Sequence, residues 1–320
     1  MSLGELTPET TSGTGISVVV PVYNSATVLP KLVTELQTVL PRCTEEFELI
    51  LVNDASADES WSVIIDLAKR YSWVSGMNLM RNSGQHNALL CGIRAARHGI
   101  IATIDDDMQN PPDQIPRLLE RLNEGFDVVY GIPQAEQHGL LRDLASKITK
   151  LVLQNAMGAE IARNISAYRV FRTAVREAFC DYRGPFVSID VLLTWGTSRF
   201  GAITVRHEPR RAGVSGYSVK KLILHAVNMM TGFSVLPLQL ASLIGFTFTV
   251  FGLFALLFVV GRYFVQGNAV PGFPFLASLI AIFSGAQLFA LGIIGEYLAR
   301  VHFRIMDRPP YTVRSRTSAK

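Results

Sequence analysis

The sequence predicts an α/β fold in which helices cover a mostly parallel sheet, followed by two membrane-spanning helices. Three observations support this prediction. Short runs rich in β-branched residues alternate with helix-like segments as far as about residue 215. Polar side chains stand where successive runs end, which is the edge of a parallel sheet at which ligands bind. Two long stretches near the C-terminus contain no charged residue.

The sheet and its helices follow from these alternating segments. The strand-like runs are 16–23, 47–53, 73–80, 100–104 and 126–131. The helix-like segments are about 25–40, 58–70 and 84–98, and a fourth opens at Pro111-Pro112-Asp113, because proline suits the first helical turn. Asn24, Asp54, Asn82 and Asp105 each follow the end of a strand-like run. We therefore expect these four side chains to meet at one edge of the sheet.

The two uncharged stretches predict a membrane hairpin. No Asp, Glu, Lys or Arg lies between Lys221 and Arg262, or between Arg262 and Glu296. A helix of about 20 apolar residues crosses a bilayer, and both stretches are long enough. The spans are expected at about 233–261 and 273–299.

Basic residues predict the orientation of this hairpin. They cluster before the first span and after the second, whereas the connecting loop carries only Arg262. The positive-inside rule therefore puts both termini in the cytosol. Residues 218–231 (SVKKLILHAVNMMT) carry apolar side chains at helical spacing behind two lysines, which predicts an interfacial helix on the membrane surface. The polar residues 1–15 are expected to be a flexible tail and not a signal peptide.

Composition narrows the class of protein. A mean hydropathy of +0.27, with 49% hydrophobic residues among 320, is high for a soluble protein. Cys43, Cys91 and Cys180 are far apart, which argues against a disulfide framework or a zinc cluster and favours a reducing compartment. The net charge of +4 comes with basic residues beside the membrane spans, so we expect no nucleic-acid partner.

The stretch TIDDDMQNPP (103–112) places three acids directly after an apolar run. Side chains alternate along an extended chain, so Asp105 and Asp107 are expected on one side and Asp106 on the other. Two carboxylates with the carbonyl oxygen of Gln109 suit a hard cation such as Mg²⁺ or Mn²⁺. The alternative is a solvated acidic turn that caps the helix after Pro111.

The absence of two motifs argues against two common classes of nucleotide-binding protein, and the motifs that are present indicate a third class. The sequence has no G-x-G-x-x-G after its first run and no G-x-x-x-x-G-K-[ST], which disfavours dinucleotide oxidoreductases and P-loop NTPases. Four segments resemble the family-2-type inverting nucleotide-sugar glycosyltransferases with the Rossmann-like A-type fold: VVVPVYN (18–24), LVNDAS (51–56), RNSGQHNALLCGI (81–93) and IDDDMQNPP (104–112). Three more, together with the hairpin, resemble the polyprenyl-phosphate glycosyltransferases, the aminoarabinose transferase branch most closely: SAYR (166–169), HEPRRAGVSGYSVKKL (207–222) and GIIGEYLARV (292–301).

The resemblance implies a role for each matching residue. The nucleotide-sugar donor would be bound by Pro21, Tyr23, Asn24, Asp54, Gly84, Gln85, His86 and Asp106. Pro21 and Tyr23 would flank the uracil ring, and Asp54 would accept the imide hydrogen. The metal that bridges the diphosphate would be held by Asp105, Asp107 and Gln109. The acceptor phosphate would contact Arg142, Arg169, Arg210 and Ser215, and the catalytic set would be Asp105, Asp107 and Arg169.

Simpler structural roles are open for several of these residues. Tyr23 suits core packing at a strand end, Asp54 suits a helix cap, and His86 is as well explained by a structural role. Arg142 fits a solvated face of a helix over 140–153, and Arg211 competes with Arg210 for one phosphate role. Departures from the family pattern leave the details of acceptor contact open: they are Asn53, Ala167 and Gly216, where Asp, Asp and Lys are frequent.

The resemblance implies a membrane-bound inverting transferase that moves a sugar from a nucleotide-sugar donor, UDP-linked, to a polyprenyl phosphate of undecaprenyl or dolichyl type. The reaction would run at the cytosolic face of the inner, or cytoplasmic, membrane, and members of the family often form tetramers. A phosphate is already anionic near neutral pH, so no strong general base is required.

Two other functions stay open. One is a processive polysaccharide synthase, whose Q-x-x-R-W motif is absent here. The other is a non-catalytic membrane partner with a degenerate transferase domain, against which the intact acids and Arg169 argue. The motifs do not encode which sugar is transferred.

The predicted organisation of the chain has five segments: the tail (1–15), a cytosolic glycosyltransferase domain (16–217), the interfacial helix (218–231), the hairpin (232–299) and a basic cytosolic tail (300–320).

Overall fold

The structure is a computed structural model that describes residues 15–133, 165–184, 187–208, 236–266 and 272–317. Several predictions lie outside the described residues: the N-terminal tail over its first 14 positions, the helix at 140–153 and the interfacial helix at 218–231.

An eight-stranded sheet forms the centre of the first part of the chain. In chain order its strands are β1 (Ile16–Val22), β2 (Phe47–Asn53), β3 (Val74–Leu79), β4 (Ile100–Thr103), β5 (Val128–Pro133), β6 (Arg169–Arg172), β7 (Phe200–Val205) and β8 (Val313–Arg316). Their order across the sheet is β7-β5-β6-β4-β1-β2-β3-β8. The pairs β1–β2, β1–β4, β2–β3 and β5–β7 are parallel, whereas β6 and β8 run antiparallel to their neighbours. The mostly parallel sheet predicted from the sequence is confirmed.

Seven α-helices are found among the described residues. They are α1 (Leu29–Val39), α2 (Ser60–Arg70), α3 (Gln85–Ala95), α4 (Ile115–Asn123), α5 (Ile189–Gly196), α6 (Leu236–Gln266) and α7 (Phe273–Ile305). Short 3₁₀ helices occur at Leu40–Arg42, Pro112–Gln114 and Thr173–Ala178. Helix α1 begins later than expected, because the backbone N–H groups of Asn24, Ser25 and Ala26 bond to side chains of the β2–α2 loop and of the first residue of α2.

Helices cover both faces of the sheet, as the alternation of β1 requires. Val18, Val20 and Val22 pack in one buried cluster with residues of α1, α2 and α4, whereas Val19 packs in a second cluster with residues of α3 and α5. Gly92 allows the close approach of α3, because a Cβ there would collide with the side chain of Val19. The sheet and helices therefore fix the start of α3 beside the carboxyl ends of β1 and β2.

Helices α6 and α7 form a second compact unit between residues 236 and 307. They contain apolar segments of 26 residues (Pro237–Arg262) and 22 residues (Ile282–Phe303), long enough to cross a membrane by length and composition. Most of their large apolar side chains are exposed, and Phe248 contacts Phe283 edge-on at 5.8 Å between ring centroids. A soluble core helix would bury such a surface, so the two helices have the character expected of membrane spans.

The C-terminal segment returns to the sheet, which the sequence did not predict. Residues 300–320 were expected to be a basic tail, yet Val313–Arg316 forms β8 and pairs antiparallel with β3. Residues 308–317 therefore belong to the same compact unit as the sheet. A four-residue strand with arginine at alternate positions carries too short an apolar pattern to be recognised from sequence.

Candidate active site

A cavity of about 240 Å³ opens at the carboxyl ends of β1, β2 and β4. It is lined by Pro21, Val22, Tyr23, Asp54, Asn82, Gly84, Gln85, Asp105, Asp106 and Asp107. Most of the donor-site and metal-site residues expected from the sequence therefore lie together. Tyr23 is 50% exposed, so it is available for contact with a ligand and is not packed in the core.

The backbone is strained at this edge of the sheet. Among the described residues, four non-glycine residues have positive φ, and three of them directly follow cavity-lining residues: Asn24 (55°), Ala55 (53°) and Met108 (61°). Such conformations cost about 1–3 kcal/mol each and persist where the surrounding structure enforces them. Their clustering indicates a functional site.

Asp54 holds the loop between β3 and α3. Its Oδ1 accepts the backbone N–H of Ser83 at 2.7 Å, and its Oδ2 accepts that of Gly84 at 2.8 Å. Burial raises the pKa of Asp54, and these two N–H groups oppose the shift. Each carboxylate oxygen keeps a second lone pair. Asp54 is therefore a loop anchor that also presents an acceptor to the cavity.

Gly84 supplies the conformation that this loop needs. Its φ of +92° with ψ of 154° lies in a region that is essentially confined to glycine. No atom lies within 4 Å of the position that a Cβ would take, so the requirement is one of backbone conformation and not of space. An open position of this kind leaves the backbone accessible to a ligand.

Asp106 joins the acidic loop to the β1–α1 loop. Its Oδ2 accepts the backbone N–H of Tyr23 at 3.0 Å and the hydroxyl of Ser25 at 2.6 Å. Burial raises the pKa of Asp106, while the two hydrogen bonds oppose the shift and Asp107 adds to it. Asp106 thus positions Tyr23, the proposed platform for the base.

Asp105 and Asp107 line the cavity with separate supports. Gln85 Nε2 donates to Asp105 Oδ1 at 2.6 Å, and the backbone N–H of Gln109 donates to Asp107 Oδ1 at 3.1 Å. The expected alternation, with Asp106 on the opposite side, is wrong because β4 ends at Thr103 and the acids lie in a turn. All three residues consequently border the cavity.

Three predicted site residues lie beside the cavity without lining it. Asn24 Oδ1 accepts the backbone N–H of Ala57 at 2.8 Å and so connects two loops. His86 Nδ1 accepts the backbone N–H of Ile189 at 3.3 Å, at the start of α5. Gln109 does not contribute to the cavity wall, and its backbone oxygen accepts the N–H of Glu208 at 2.8 Å.

Arg169 is buried behind the acidic loop. Its side chain is 1% exposed and is paired with Asp190, while Nε donates to Thr103 Oγ1 at 3.0 Å. Thr103 in turn donates to the backbone oxygen of Ala167 at 2.7 Å, and Tyr130 donates to Asp190 Oδ1 at 3.3 Å. This network supports the end of β4, from which the acids continue. Arg169 does not line the cavity.

Four residues that support the site were not expected from the sequence: Ser25, Ser83, Thr103 and Asp190. Asp190 had one sequence signal: a buried arginine requires a counter-charge, and Asp190 is an acid beside an apolar run in α5. The other three act through hydrogen bonds between distant loops, which no local pattern encodes. Three predicted acceptor contacts, Arg142, Arg210 and Ser215, lie outside the described residues.

The geometry suits a hard cation shared with a ligand. Among the described residues, no group of three or more His, Cys, Asp or Glu side chains is arranged to hold a metal by itself. Asp105 and Asp107 supply two carboxylates to one cavity. Mg²⁺ and similar ions are commonly bound by one or two carboxylates, with substrate phosphates completing the coordination. The residues present therefore fit a cation that binds together with a phosphorylated ligand.

Comparison with protein families agrees with this geometry. A model described as glycosyl transferase family 2 matches residues 17–179. The undecaprenyl-phosphate 4-deoxy-4-formamido-L-arabinose transferase of Photorhabdus laumondii is 35% identical over 303 residues, which is 93% of each chain. The protein of the same name from Klebsiella pneumoniae is 34% identical and covers 93% of this chain and 92% of its own.

Solved structures resemble the fold at low sequence identity. Mannosyl-3-phosphoglycerate synthase from Rubrobacter xylanophilus has a TM-score of 0.51 and 17% identity, and the match covers 70% of this chain and 77% of that one. Glucosyl-3-phosphoglycerate synthase from Mycobacterium tuberculosis, solved with Mn²⁺, UDP and phosphoglyceric acid, has a TM-score of 0.51 and 16% identity, covering 69% and 78%. These similarities support the A-type fold.

Proposed function

The chain belongs to glycosyl transferase family 2, and from this premise we propose that it is a membrane-bound inverting transferase that glycosylates a polyprenyl phosphate. The relatives, which match over almost the whole chain, carry names that specify undecaprenyl phosphate as the acceptor. The observation that carries the proposal is the joint presence of Tyr23, Asp54, Asp105 and Asp107 around one cavity. Together they supply a base platform, an imide acceptor and a cation seat.

The donor is proposed to be a UDP-sugar. A uracil edge presents an imide N–H between two carbonyl oxygens, so it pairs with an acceptor such as the Asp54 carboxylate. The exposed ring of Tyr23 and the adjacent Pro21 offer an apolar surface for the base. The names of the relatives make a 4-deoxy-4-formamido-L-arabinose donor the first candidate to test.

A divalent cation, Mg²⁺ or Mn²⁺, is proposed to be held by Asp105 and Asp107. Gln109 lies outside the cavity wall and becomes a third contact only if its carbonyl oxygen leaves the Glu208 N–H. When bound, the cation would neutralise the charge that develops on the leaving diphosphate. Gln85 orients Asp105, and the backbone of Gln109 orients Asp107, so both carboxylates are held before a ligand arrives. This preorganisation reduces the cost of assembling the site.

The acceptor phosphate is proposed to bind Arg142, Arg210 and Ser215, where arginine forks match phosphate oxygens. Arg169 serves the same purpose only if its buried pair with Asp190 opens. The lipid phosphate would attack the anomeric carbon opposite the nucleoside diphosphate and so invert the configuration. Its oxygen is already anionic near neutral pH, so the chain needs no strong base at position 167.

The chain is proposed to cross the inner membrane twice, with both ends on the cytosolic side. The basic flanks of α6 and α7 support this orientation. The pairing of β8 with β3 supports it independently, because the chain must return after α7 to the side on which the sheet lies. The chain meets this condition if it crosses the membrane an even number of times between residues 208 and 313, and the two candidate spans give two crossings. Association into tetramers is proposed from the resemblance alone.

A transfer assay with purified full-length chain tests the proposal. Undecaprenyl phosphate and Mn²⁺ are incubated with a panel of UDP-sugars, including UDP-4-deoxy-4-formamido-L-arabinose, and the lipids are analysed by mass spectrometry. We expect one sugar per lipid, joined through a phosphodiester, with at least one donor. A polymer would support a processive synthase, and the absence of product with every donor would support a non-catalytic partner.

A further inference from the structure

We propose that the C-terminal strand β8 is a strap that fixes the donor-binding loop of this enzyme, so that residues 311–316 act as positioning residues for the nucleotide. This inference rests on the proposed function, because it takes the cavity beside β3 to be the donor site. The strap was not evident in the sequence, where this segment looks like a basic tail.

The register of the β3–β8 pairing places the start of β8 at the carboxyl end of β3. Val313 lies opposite Leu79, and Arg316 lies opposite Met77, so the strand runs from the carboxyl end of β3 towards its middle. Beyond the last pair, the backbone N–H of Met80 donates to the carbonyl oxygen of Thr312 at 2.8 Å. Met80 is the residue immediately before the loop Arg81–Gly84. The start of β8 therefore holds the point at which that loop leaves the sheet.

The loop Arg81–Gly84 forms part of the cavity wall. Asn82 and Gly84 line the cavity, and the N–H groups of Ser83 and Gly84 bind the two oxygens of Asp54. The loop is therefore fixed at its far end by Asp54 and at its near end by Thr312. Only Arg81 and Asn82 lie between these two attachments, so a shift at Met80 is transmitted to the cavity wall.

The segment just before β8 is also attached to α3. Arg94 donates from Nη1 to the hydroxyl of Tyr311 at 3.4 Å, and its guanidinium carbon lies 5.7 Å from the centre of the Tyr311 ring. Arg94 Nη2 also donates to the backbone oxygen of Tyr182 at 2.6 Å. Helix α3 begins at Gln85, which binds Asp105. Tyr311 thus contacts the helix whose first residue supports the cation seat.

The end of the strap that lies farther from the donor loop is attached to the middle of β3. Thr317 exchanges two hydrogen bonds with Gly76: Thr317 Oγ1 accepts from the Gly76 N–H at 2.8 Å, and the Thr317 N–H donates to the Gly76 oxygen at 2.9 Å. Gly76 lies in the middle of β3 and does not border the cavity. A disturbance there should lower stability without reaching the donor.

Two matched proline variants of the full chain test whether β8 positions the donor-binding loop or only covers the edge of the sheet. Val313→Pro disturbs the strand beside the donor loop, and Thr317→Pro removes both hydrogen bonds to Gly76, since proline has no N–H and no hydroxyl and restricts the backbone. Binding of UDP with Mn²⁺ is measured by calorimetry, alongside thermal unfolding. We expect both variants to lose thermal stability, and Val313→Pro alone to bind UDP about tenfold more weakly, which corresponds to ~1.4 kcal/mol. The exposed Arg308→Gln should match the wild type in both measurements.

Equal UDP affinity in the two proline variants would overturn the strap and leave β8 as an edge cover only. Failure of the wild type to bind UDP would instead overturn the proposed donor, so the two failures are distinguishable. Linkage supplies a second measurement should Val313→Pro not fold. If the strap favours donor binding, UDP with Mn²⁺ must slow amide hydrogen exchange across residues 312–316 of the wild type. Unchanged exchange at saturating UDP would also overturn the proposal.

Discussion

The backbone N–H of Gly84 donates to Asp54 Oδ2 at 2.8 Å, which ties the loop after β3 to the end of β2. The bond depends on a glycine at φ +92° and on a carboxylate that accepts a second N–H from Ser83. Both residues border the cavity, so this relationship determines the shape of the proposed nucleotide site.

Gly84→Ala should weaken UDP binding as well as stability. A side chain at this φ costs about 1–3 kcal/mol, and the loop can relieve the strain only by leaving Asp54. Gly125 is a matched control, because its φ is +102° and its Cβ position is equally open, yet it does not line the cavity. Gly125→Ala should lower the melting temperature and keep UDP affinity. Equal affinity losses in the two variants would contradict a local role for Gly84.

Asp54→Asn should abolish uridine binding while the chain stays folded. Asparagine has one acceptor oxygen, so its NH₂ group would face an N–H of the loop and could not accept the imide. Asp58→Asn is a suitable control, because Asp58 caps the start of α2 through Ser60 and does not border the cavity. Retention of uridine affinity in Asp54→Asn would rule out Asp54 as the base acceptor.

Acidification should weaken uridine binding before it unfolds the protein. Burial raises the pKa of Asp54 and of Asp106 above the ordinary value near 3.9. As pH falls through these raised values, each carboxylate gains a proton and loses acceptor capacity. The effect of acid on stability has the opposite sign. Because the folded-state pKa of each group lies above its unfolded-state value, protonation of these two groups raises the free energy of unfolding. Uridine replaces UDP as the probe because phosphate itself titrates near pH 6. An affinity midpoint at or below pH 3.9 would contradict the assignment.

Asp107→Ala should abolish transfer and the response of UDP affinity to Mn²⁺, without altering membrane insertion. The Asp107 carboxylate is one of two that bind the cation, and Asp105 alone cannot hold the cation with comparable strength. Asp113→Asn is the control: Asp113 belongs to the same acidic region but pairs with Arg206 at 2.9 Å, outside the cavity. Full activity of Asp107→Ala in added Mn²⁺ or Mg²⁺ would exclude the metal assignment.

Asp190→Asn should destabilise the sheet unit by about 3–5 kcal/mol, because it leaves the buried Arg169 guanidinium without a counter-charge. Arg169→Met should have a comparable effect, and the two losses should not add. The double variant Arg169→Met/Asp190→Asn should lose about 0.5–3 kcal/mol less than the sum of the two single losses. Additive losses in thermal or denaturant unfolding would contradict a coupled pair. A selective rise in the acceptor KM of Arg169→Lys would instead favour direct phosphate contact.

Much of the fold could be predicted from local pattern. The first five strands are apolar and β-branched with clear turns between them, and the hairpin helices lack charge over long stretches. The rule that parallel strands end at one edge of the sheet predicted that Asp54, Asn82 and Asp105 would meet, and all three line the cavity, whereas Asn24 lies beside it. These features depend on residues close in sequence or on general topology, so a single chain suffices to infer them.

The rest depends on contacts between distant segments. Strand β8 pairs with β3 across more than 200 residues, and its four residues carry no distinctive pattern. The burial of Arg169 depends on Asp190 from another element, and the direction of Asp106 depends on a turn that the alternation rule does not describe. Long-range pairing of this kind is decided by packing and not by local propensity.

The central claim, single inverting transfer to a lipid phosphate at this cavity, is tested most directly by comparing two acceptors. Purified wild type is supplied with Mn²⁺, a UDP-sugar that it accepts, and either undecaprenyl phosphate or undecaprenol, and the lipid product is analysed by mass spectrometry and anomeric NMR. We predict one sugar on undecaprenyl phosphate, with anomeric configuration opposite to the donor, no product on undecaprenol, and none from Asp107→Ala. Transfer to undecaprenol, or retention of the donor configuration, would contradict the account.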